Sequence, residues 1–388
     1  VELNTYFADL HIHIGRDLNN KPVKITGSKS LTLTQILIEA SERKGIDIIG
    51  VIDCHVPAVQ GELEQLIDAH QAFPLKDGGI QFENVTLILG VELEIYDHNC
   101  QGPIHVLCYF PTLAKMQLFT KWLKNQLKNI NLSSQRVYVA GKELQTKVKQ
   151  LDGLFIPAHV FTPFKSLYGR GVRFSLREVF RPELIDGIEL GLSSDSYMAA
   201  SITEINCYPF LSNSDAHSLG KIGREYQQLL LQAKTFNELK LALKGEEGRA
   251  IIANYGMHPQ LGKYYQSVCK YCGEPSATQT KCATCQSSQI IKGVRERIDE
   301  LANNQAKIMR PPYYYHVPLE YVNGIGKVTY NKLIQSFGTE MNVYHNVEYK
   351  QLAQVVGQEL AQRLIRIRKG DLIIKEGGGG LYGRLIPE

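Results

Sequence analysis

The sequence predicts an α/β chain in three parts: a seven-stranded βα barrel, a small four-cysteine ribbon and an all-α tail. Three observations predict it. Seven strand-like runs lie within the first 262 residues, several of them separated by helix-like stretches. Histidines and carboxylates fall at the ends of those runs. Two Cys-x-x-Cys pairs then stand before a glycine-punctuated, helix-like C-terminus. With 388 residues the chain exceeds one ordinary core. The predicted parts are a barrel at 1–262, a ribbon at 263–290, a helical linker at 291–312 and a helical domain at 313–388.

The seven runs are 6–11, 46–53, 85–92, 104–110, 154–159, 185–190 and 208–214. Residues 31–44 carry Leu33, Ile36, Leu37 and Ala40 at helical spacing, and Gly45 stops that helix. Residues 113–129 and 235–244 read the same way. Strands alternating with helices favour parallel βα units, and seven of them favour a closed barrel. Polar residues mark the strand ends. Run one ends in His11 and His13, which share a face at i and i+2. Run two ends in Asp53 and His55, run three in Glu92, run five in His159, and run seven in Asp215 and His217. Run four carries His105 near its start, so it enters the site from the other direction or sits deeper. Catalytic groups of a βα barrel come from the ends of different strands and meet on one face. Imidazoles with carboxylates in that pattern predict a site for more than one metal, Zn or Mn, with Mg or Mn admitted at a carboxylate-rich position.

Composition excludes some classes. The chain is 44% hydrophobic and 21% charged. It has no apolar run long enough to span a membrane and no signal peptide at its start, so a cytoplasmic, intracellular protein is expected. Net charge is +4 but uneven. Residues 291–388 hold 14 Lys+Arg against 10 Asp+Glu, residues 263–290 hold three against one, and residues 1–262 carry −2. The basic surplus lies in the last third, which suits a polyanion. Of eight cysteines, Cys54, Cys100, Cys108 and Cys207 are scattered, and a disulfide framework is not expected. Cys108 reads as a small core hydrophobe.

The residues Asp9, His11 and His13, then Asp53 and His55, then Glu92, His105 and His159, then Asp215 and His217 together resemble the PHP (polymerase and histidinol phosphatase) family. The resemblance covers residues 1–262. It implies a distorted seven-stranded, TIM-like barrel whose cluster of up to three metals hydrolyses phosphoesters by in-line attack of activated water. It also implies that His11, His13, His55, Glu92, His105, His159, Asp215 and His217 are metal ligands, with Glu92 as a bridge. His11, His13, Glu92, Asp215 and His217 carry the chemistry. Asp9 and Asp53 would orient imidazoles. The family has a further ligand soon after the first histidine pair, and Asp17 is the nearest candidate. His70, His98, His258, His316 and His345 are expected to have no role.

Cys269, Cys272, Cys282 and Cys285 form two knuckles separated by nine residues. Four thiolates at this spacing close a tetrahedral Zn2+ site, and the segment is too small for a core of its own. A helix is expected at 294–307. Tyr313, Tyr314 and Tyr315 are expected to pack between domains. Residues 319–337, with Gly324, Ile325, Gly326 and Lys327, resemble a helix-hairpin-helix element. Its glycines would let backbone N–H groups approach a phosphate at a helix start. Val355, Val356 and Gly357 form a degenerate second copy, followed by the basic residues Arg363, Arg366, Arg368 and Lys369. Residues 377–380 receive no assignment.

The order of barrel, ribbon and hairpin tail resembles the endonuclease Q family. That implies a DNA repair nuclease acting on deaminated bases (uracil, hypoxanthine, xanthine) and abasic sites in double- or single-stranded DNA, nicking on the 5′ side. A replication or repair clamp is the protein partner such a role suggests. A flipped base would be read by a pocket on loops 161–171 and 191–196, with Ser166, Tyr168, Arg170 and Ser193 as candidates. Two alternatives stand beside this reading: a PHP phosphoesterase with another substrate, and a non-catalytic DNA-binding protein with a structural metal cluster.

Overall fold

Strand β1 (Asn4–Ile12) is exposed at its start and fully buried at its end, so it runs from the rim inward towards the site. The structure, a computed structural model, describes residues 2–276, 280–304 and 308–385. β2 (Ile48–Val51) lies parallel to β1, and β3 (Val85–Ile95) lies parallel to β2. β4 (Ile104–Phe110) is antiparallel to β3, and β5 (Leu154–Pro157) is antiparallel to β4. β6 (Ile188–Glu189) follows β5 through the bond from Val160 N to Glu189 O, and pairs in parallel with β7 (Phe210–Leu211). Past β7 the chain returns to β1: His13 N donates to Ala216 O, and Ala216 N donates to His11 O, each at 3.1 Å. Seven strands therefore close a barrel.

The strand pattern departs from simple βα repetition at one place. β3 and β4 form an antiparallel pair, with Glu92 opposite Leu107. β4 therefore begins at the end where its neighbours finish, and His105 in its first turn reaches the same rim as Glu92. Leu10, Ile48, Ile88, Leu107, Ile156 and Leu211, from six of the strands, pack in one cluster that fills the barrel. Period-two alternation places Glu92 in the row of Ile88 and His105 in the row of Leu107. The apolar filling thus ends in a polar rim.

Helices cover the outside. The predicted helix at 31–44 is α-helical over Leu33–Ile38, turns π-helical over Glu39–Lys44, and ends at Gly45 with φ +73°. The predicted helix at 113–129 is shorter, Leu113–Leu123. That at 294–307 is helical over Val294–Leu301, and residues 305–307 lie outside the described residues. Two strands not expected from sequence, Tyr226–Leu231 and Ala250–Gly256, extend the sheet from the first half of β1. Tyr313–Tyr315 adds in parallel at the edge, so the tail starts inside the barrel sheet.

Four helices follow: Lys327–Phe337, Glu340–His345, Tyr349–Val356 and Gln358–Arg368. The chain then forms a small two-stranded hairpin, Ile374–Lys375 with Arg384–Leu385, which the all-α expectation did not include. The tail is locked to the barrel by buried polar contacts. Lys44 Nζ meets Glu340 Oε2 at 2.7 Å, and Tyr226 Oη lies 2.8 Å from His345 Nε2. His345 also stacks on Phe7, so this histidine is a domain joint. Among the described residues no helix is long and apolar enough to cross a membrane.

Candidate metal centre and active site

Two carboxylate oxygens organise the rim. Asp215 Oδ1 lies 3.3 Å from the Nε2 atoms of His11, His13 and His217. Glu92 Oε1 lies 2.9 Å from His105 Nδ1, 3.4 Å from His159 Nε2 and 3.6 Å from His11 Nε2. Three groups of ligand atoms come within 4.8 Å of one another: His11, His13 and Glu92; His13, Asp215 and His217; Glu92, His105 and His159. Glu92 belongs to two of them, which is the position of a bridge.

The donor set fits divalent metal. His11 Nε2, His13 Nε2, His105 Nε2 and Asp215 Oδ1 are buried without a hydrogen-bond partner among the described residues. Each unsatisfied buried group costs about 1–3 kcal/mol, and convergence of several is the mark of a cation site. Burial works to raise the Asp215 carboxyl, but the imidazoles of His11, His13 and His217 hold it well below the usual carboxylate range. Glu92 is likewise held low against burial, by His105 and Lys24 before the others. Two of the histidine and aspartate positions are backbone-strained: His159 has φ +30° and Asp215 has φ +47°. Strain of this kind in non-glycine residues clusters at functional sites. Gly191 makes room for it, since a Cβ there would lie 3.0 Å from the Cβ of His159.

The orienting shell differs from the expectation. Asp53 Oδ2 lies 3.2 Å from His13 Nδ1 and accepts from Ile14 N, so it does orient an imidazole. Asp9 does not. Its oxygens accept from the backbone of Ser214 and Gly223, which fastens the β7 loop to β1. The second orienting acid is Glu189, which sequence reading missed. Its Oε1 sits 2.8 Å from His11 Nδ1 and accepts from Asn213 Nδ2, and its Oε2 accepts from His159 N. The available signal was that run six was the one run with no named polar residue, and Glu189 is the penultimate residue of that run. Glu189→Gln should weaken divalent binding to the barrel by about 10–100-fold. Chelator competition measures it, and an unchanged midpoint would limit Glu189 to a packing role.

Two predicted ligands are not brought into the cluster. Asp17 Oδ1 accepts from the backbone of Asn19 and Lys21, at 2.9 Å each, and so closes a turn. His55 Nε2 lies 3.2 Å from Leu132 O, and His55 joins none of the ligand groups. A cation stands nearby instead: Lys24 Nζ is 3.4 Å from Glu92 Oε2. Burial would lower its pKa, but the charges of Glu92, Asp215 and Asp53 raise it overall.

A cavity of about 420 Å³ opens beside the cluster. Its wall includes His159, Phe164, Ser193, Asp215, His217, Arg224, Lys263, Tyr264 and Tyr382. Of the predicted pocket residues, Ser193 faces it. Ser166 is fully buried and bonds Thr162 O and Gly169 N within its own loop. Tyr168 is buried with its hydroxyl 2.6 Å from Glu204. Arg170 lines a separate cleft between this loop and the ribbon, with Lys270, Lys292 and Arg297. Sequence reading missed Lys263, Tyr264 and Tyr382 because they lie outside the barrel loops.

In the ribbon, Cys269 Sγ lies 3.5 Å from Cys285 Sγ, and Cys272 Sγ lies 3.5 Å from Cys282 Sγ. Disulfide sulfurs stand about 2.0 Å apart, whereas Zn–S bonds of about 2.3 Å in a tetrahedron put sulfurs about 3.8 Å apart. The ribbon therefore fits zinc. In the tail, Gly324 has φ +95° and Gly326 caps the helix Lys327–Phe337, with both glycines and Lys327 exposed. Ile325 and Val322 are buried beneath them. The predicted basic run is largely engaged within the protein. Arg363 donates to Asn323 O, bracing the hairpin, and pairs with Glu359. Arg366 pairs with Asp371, and Arg368 caps the carbonyls of Val343 and Val347.

A distorted barrel with this carboxylate–imidazole rim defines a metal-dependent hydrolase. No family model matches the chain. Two crystal structures share the whole architecture, each with a TM-score of 0.85 and 34% identity over 99% of this chain. One is the lesion-specific endonuclease PfuEndoQ from Pyrococcus furiosus, matched over 96% of its length; the other is Endonuclease Q with a 27-mer duplex substrate bearing an abasic lesion at the active site, matched over 97%. The chain belongs to the endonuclease Q family. Among curated proteins it is 54% identical to YqxK of Bacillus subtilis over 98% of this chain and 99% of that one. It is 36% identical to MJ0043 of Methanocaldococcus jannaschii over 58% of this chain and 31% of that protein. Both of those proteins are described as uncharacterized.

Proposed function

We propose that the chain is a DNA repair endonuclease that accepts abasic sites and deaminated bases and hydrolyses the phosphodiester 5′ to the lesion. One observation carries the reading. The carboxylate–imidazole rim opens into a cavity large enough for an extruded nucleotide, in a chain similar along its length to an enzyme whose active site holds an abasic lesion. His11, His13, Asp215 and His217 would hold one divalent ion; His105 and His159 would hold another, with Glu92 between them. Zinc suits the imidazole-rich set, and Mn2+ or Mg2+ is the alternative. Such ions supply Lewis-acid activation of water and neutralise phosphate charge.

The chain's own residues do the rest. Glu189 and Asp53 fix the imidazole orientations. Arg224 and Lys263 put positive charge in the cavity wall, where a backbone phosphate needs it, and Tyr264 and Tyr382 offer faces for a base. Uracil, hypoxanthine and xanthine present a carbonyl beside a ring N–H, and cytosine and adenine present the reverse pattern. A wall group that donates to that carbonyl leaves cytosine and adenine with unpaired groups; guanine and thymine share the accepted edge, so a donor facing the 2-amino group would exclude guanine and the bulk of the methyl group would exclude thymine. Ser193 is the candidate donor. The test is cleavage of labelled duplexes holding one abasic site, uracil, hypoxanthine or no lesion. Faster cutting of the lesion strands, mapped to the 5′ side, supports the reading. Equal cutting of the intact duplex, or a preference for small phosphomonoesters, supports the phosphoesterase alternative.

The hairpin is proposed to grip DNA without reading sequence. Exposed backbone N–H groups at a helix start suit phosphate oxygens. Lys327→Glu should weaken damaged and undamaged duplexes by similar factors and reduce the slope of log affinity against log salt by about one. Filter binding over a salt series measures this. A loss confined to damaged DNA would assign the hairpin to lesion recognition.

A further inference from the structure

The cavity beside the metal cluster lies on one side of the barrel mouth. Its wall comes from the ends of β5, β6 and β7, through His159, Glu189, Asn213 and Asp215. Across the mouth, the end of β3 carries a different surface. Arg136 and Val137 pair in parallel with Glu94 and Ile95, on the edge of β3 that β2 occupies farther back. Arg136 is exposed, and its guanidinium carbon lies 4.9 Å from the ring centroid of Tyr96 and 5.1 Å from that of Tyr138. It also donates to Tyr96 O at 2.6 Å, which fixes the order tyrosine, arginine, tyrosine. Tyr96 is 39% and Tyr138 52% exposed. Lys128 Nζ stands 5.9 Å from the Tyr138 ring.

This ladder is continuous with the metal centre. Ser133 Oγ lies 3.1 Å from His13 Nδ1, and the hydroxyl of Ser134 donates to Glu92. Arg136 follows them on the same segment. The acids beside the ladder are engaged elsewhere: Glu94 meets Lys165 at 3.1 Å, and the two oxygens of Asp97 accept from Asn99 N and Gly141 N. An exposed guanidinium between two exposed tyrosine rings offers a cation for a phosphate and ring faces for bases.

We propose that Tyr96, Arg136 and Tyr138 form a platform for the nucleotides immediately 5′ to the scissile bond. The polarity follows from the layout. With the lesion in the cavity and its 5′ phosphate over the metal cluster, the 5′ part of the cut strand leaves across the mouth, on the β3 side. Arg136 takes a phosphate there, while Tyr96 and Tyr138 stack bases without reading their identity. This inference rests on the proposed function and adds to it the strand segment and the surface that holds it.

The experiment uses partial duplexes with one abasic site, a paired 3′ flank and an unpaired 5′ arm of either one nucleotide or about eight. The wild type should cut the long-arm substrate with a KM about tenfold lower than the short-arm one. In Tyr96→Ala/Tyr138→Ala that advantage should disappear. In Tyr96→Phe/Tyr138→Phe it should return, because a phenyl ring stacks as a phenol does. Equal KM values for the two arms in the wild type would overturn the proposal, as would an advantage that survives in the alanine variant. A second measurement locates the strand directly. 4-Thiothymine, set in the 5′ arm or in the 3′ flank, is photo-cross-linked to the full chain carrying Asp215→Asn, and the labelled residues are mapped. Cross-links from the 5′ arm to Tyr96 or Tyr138 are expected. Cross-links to these tyrosines from the 3′ flank instead would reverse the polarity and overturn the proposal. Nicking on the 3′ side of the lesion, read on the gel, would sink the proposed function itself, and that readout is independent of the cross-links.

Discussion

Asp215→Asn should lower the single-turnover nicking rate by at least about 10³-fold while duplex affinity stays close to wild type. Oδ1 of Asp215 is the point at which His11, His13 and His217 meet, and burial leaves it without a hydrogen-bond partner among the described residues. Asn keeps the size and hydrogen-bonding reach of the side chain and removes its charge. The backbone at 215 lies in the left-handed region, φ +47°, which Asn tolerates as well as Asp. The substitution should therefore leave the loop in place and act on the metal position alone. Duplex binding should survive because the proposed grip on the phosphate backbone lies elsewhere, in the hairpin of Gly324, Gly326 and Lys327. Rapid-quench nicking of an abasic duplex and a gel-shift titration, run on the same preparation, separate the two effects. Wild-type nicking with unchanged metal content would remove Asp215 from the mechanism.

What could be read from the sequence was what period two and strand ends dictate. His11 and His13 share a face, and Glu92, His159 and the pair Asp215 and His217 mark the ends of runs three, five and seven, so a barrel brings them to one rim. The placement of His105 at the start of its run held the clue that β4 is reversed. What could not be read depends on tertiary proximity between distant segments. Glu189 shares its six-residue run with Asp186, and only folding sets it against His11, which lies 178 residues away. Lys263, Tyr264 and Tyr382 come from connecting segments that carry no motif. Ser166 and Tyr168 sit on a loop that faces the site, but their side chains satisfy that loop's own carbonyl and Glu204. A loop's position follows from topology, whereas the direction of its side chains follows from local hydrogen bonds. The strands Tyr226–Leu231 and Ala250–Gly256 are not legible because neither sequence alternates cleanly between apolar and polar residues, although both alternate in burial once folded.

Removal of the ribbon metal should propagate into the active-site cavity. Cys282→Ala, or mercurial treatment of the wild type, is expected to unprotect residues 268–272 and 282–291 in hydrogen exchange. The ribbon has little else to hold it: two strands of two residues each, Val268–Cys269 and Ile290–Ile291. A structural zinc in a segment of this kind contributes about 10–16 kcal/mol of apparent binding energy, which is folding energy there. The consequence reaches further because residues 377–383 dock on the same neighbourhood. Gln266 pairs with Gly378, Gly380 N donates to Lys263 O, and a Cβ at Gly379 would lie 2.4 Å from Val268 Cγ2. Tyr382, in the wall of the cavity, is carried by this glycine loop. With the ribbon loose, the loop should lose protection too. Nicking of an abasic duplex should then fall by about tenfold or more, mainly through KM, because an ordered base-facing wall supplies binding energy at the site. The barrel metals should remain, since none of the ribbon cysteines touches the rim groups. Full protection of residues 377–383 after loss of the ribbon metal would uncouple the ribbon from the active-site cavity.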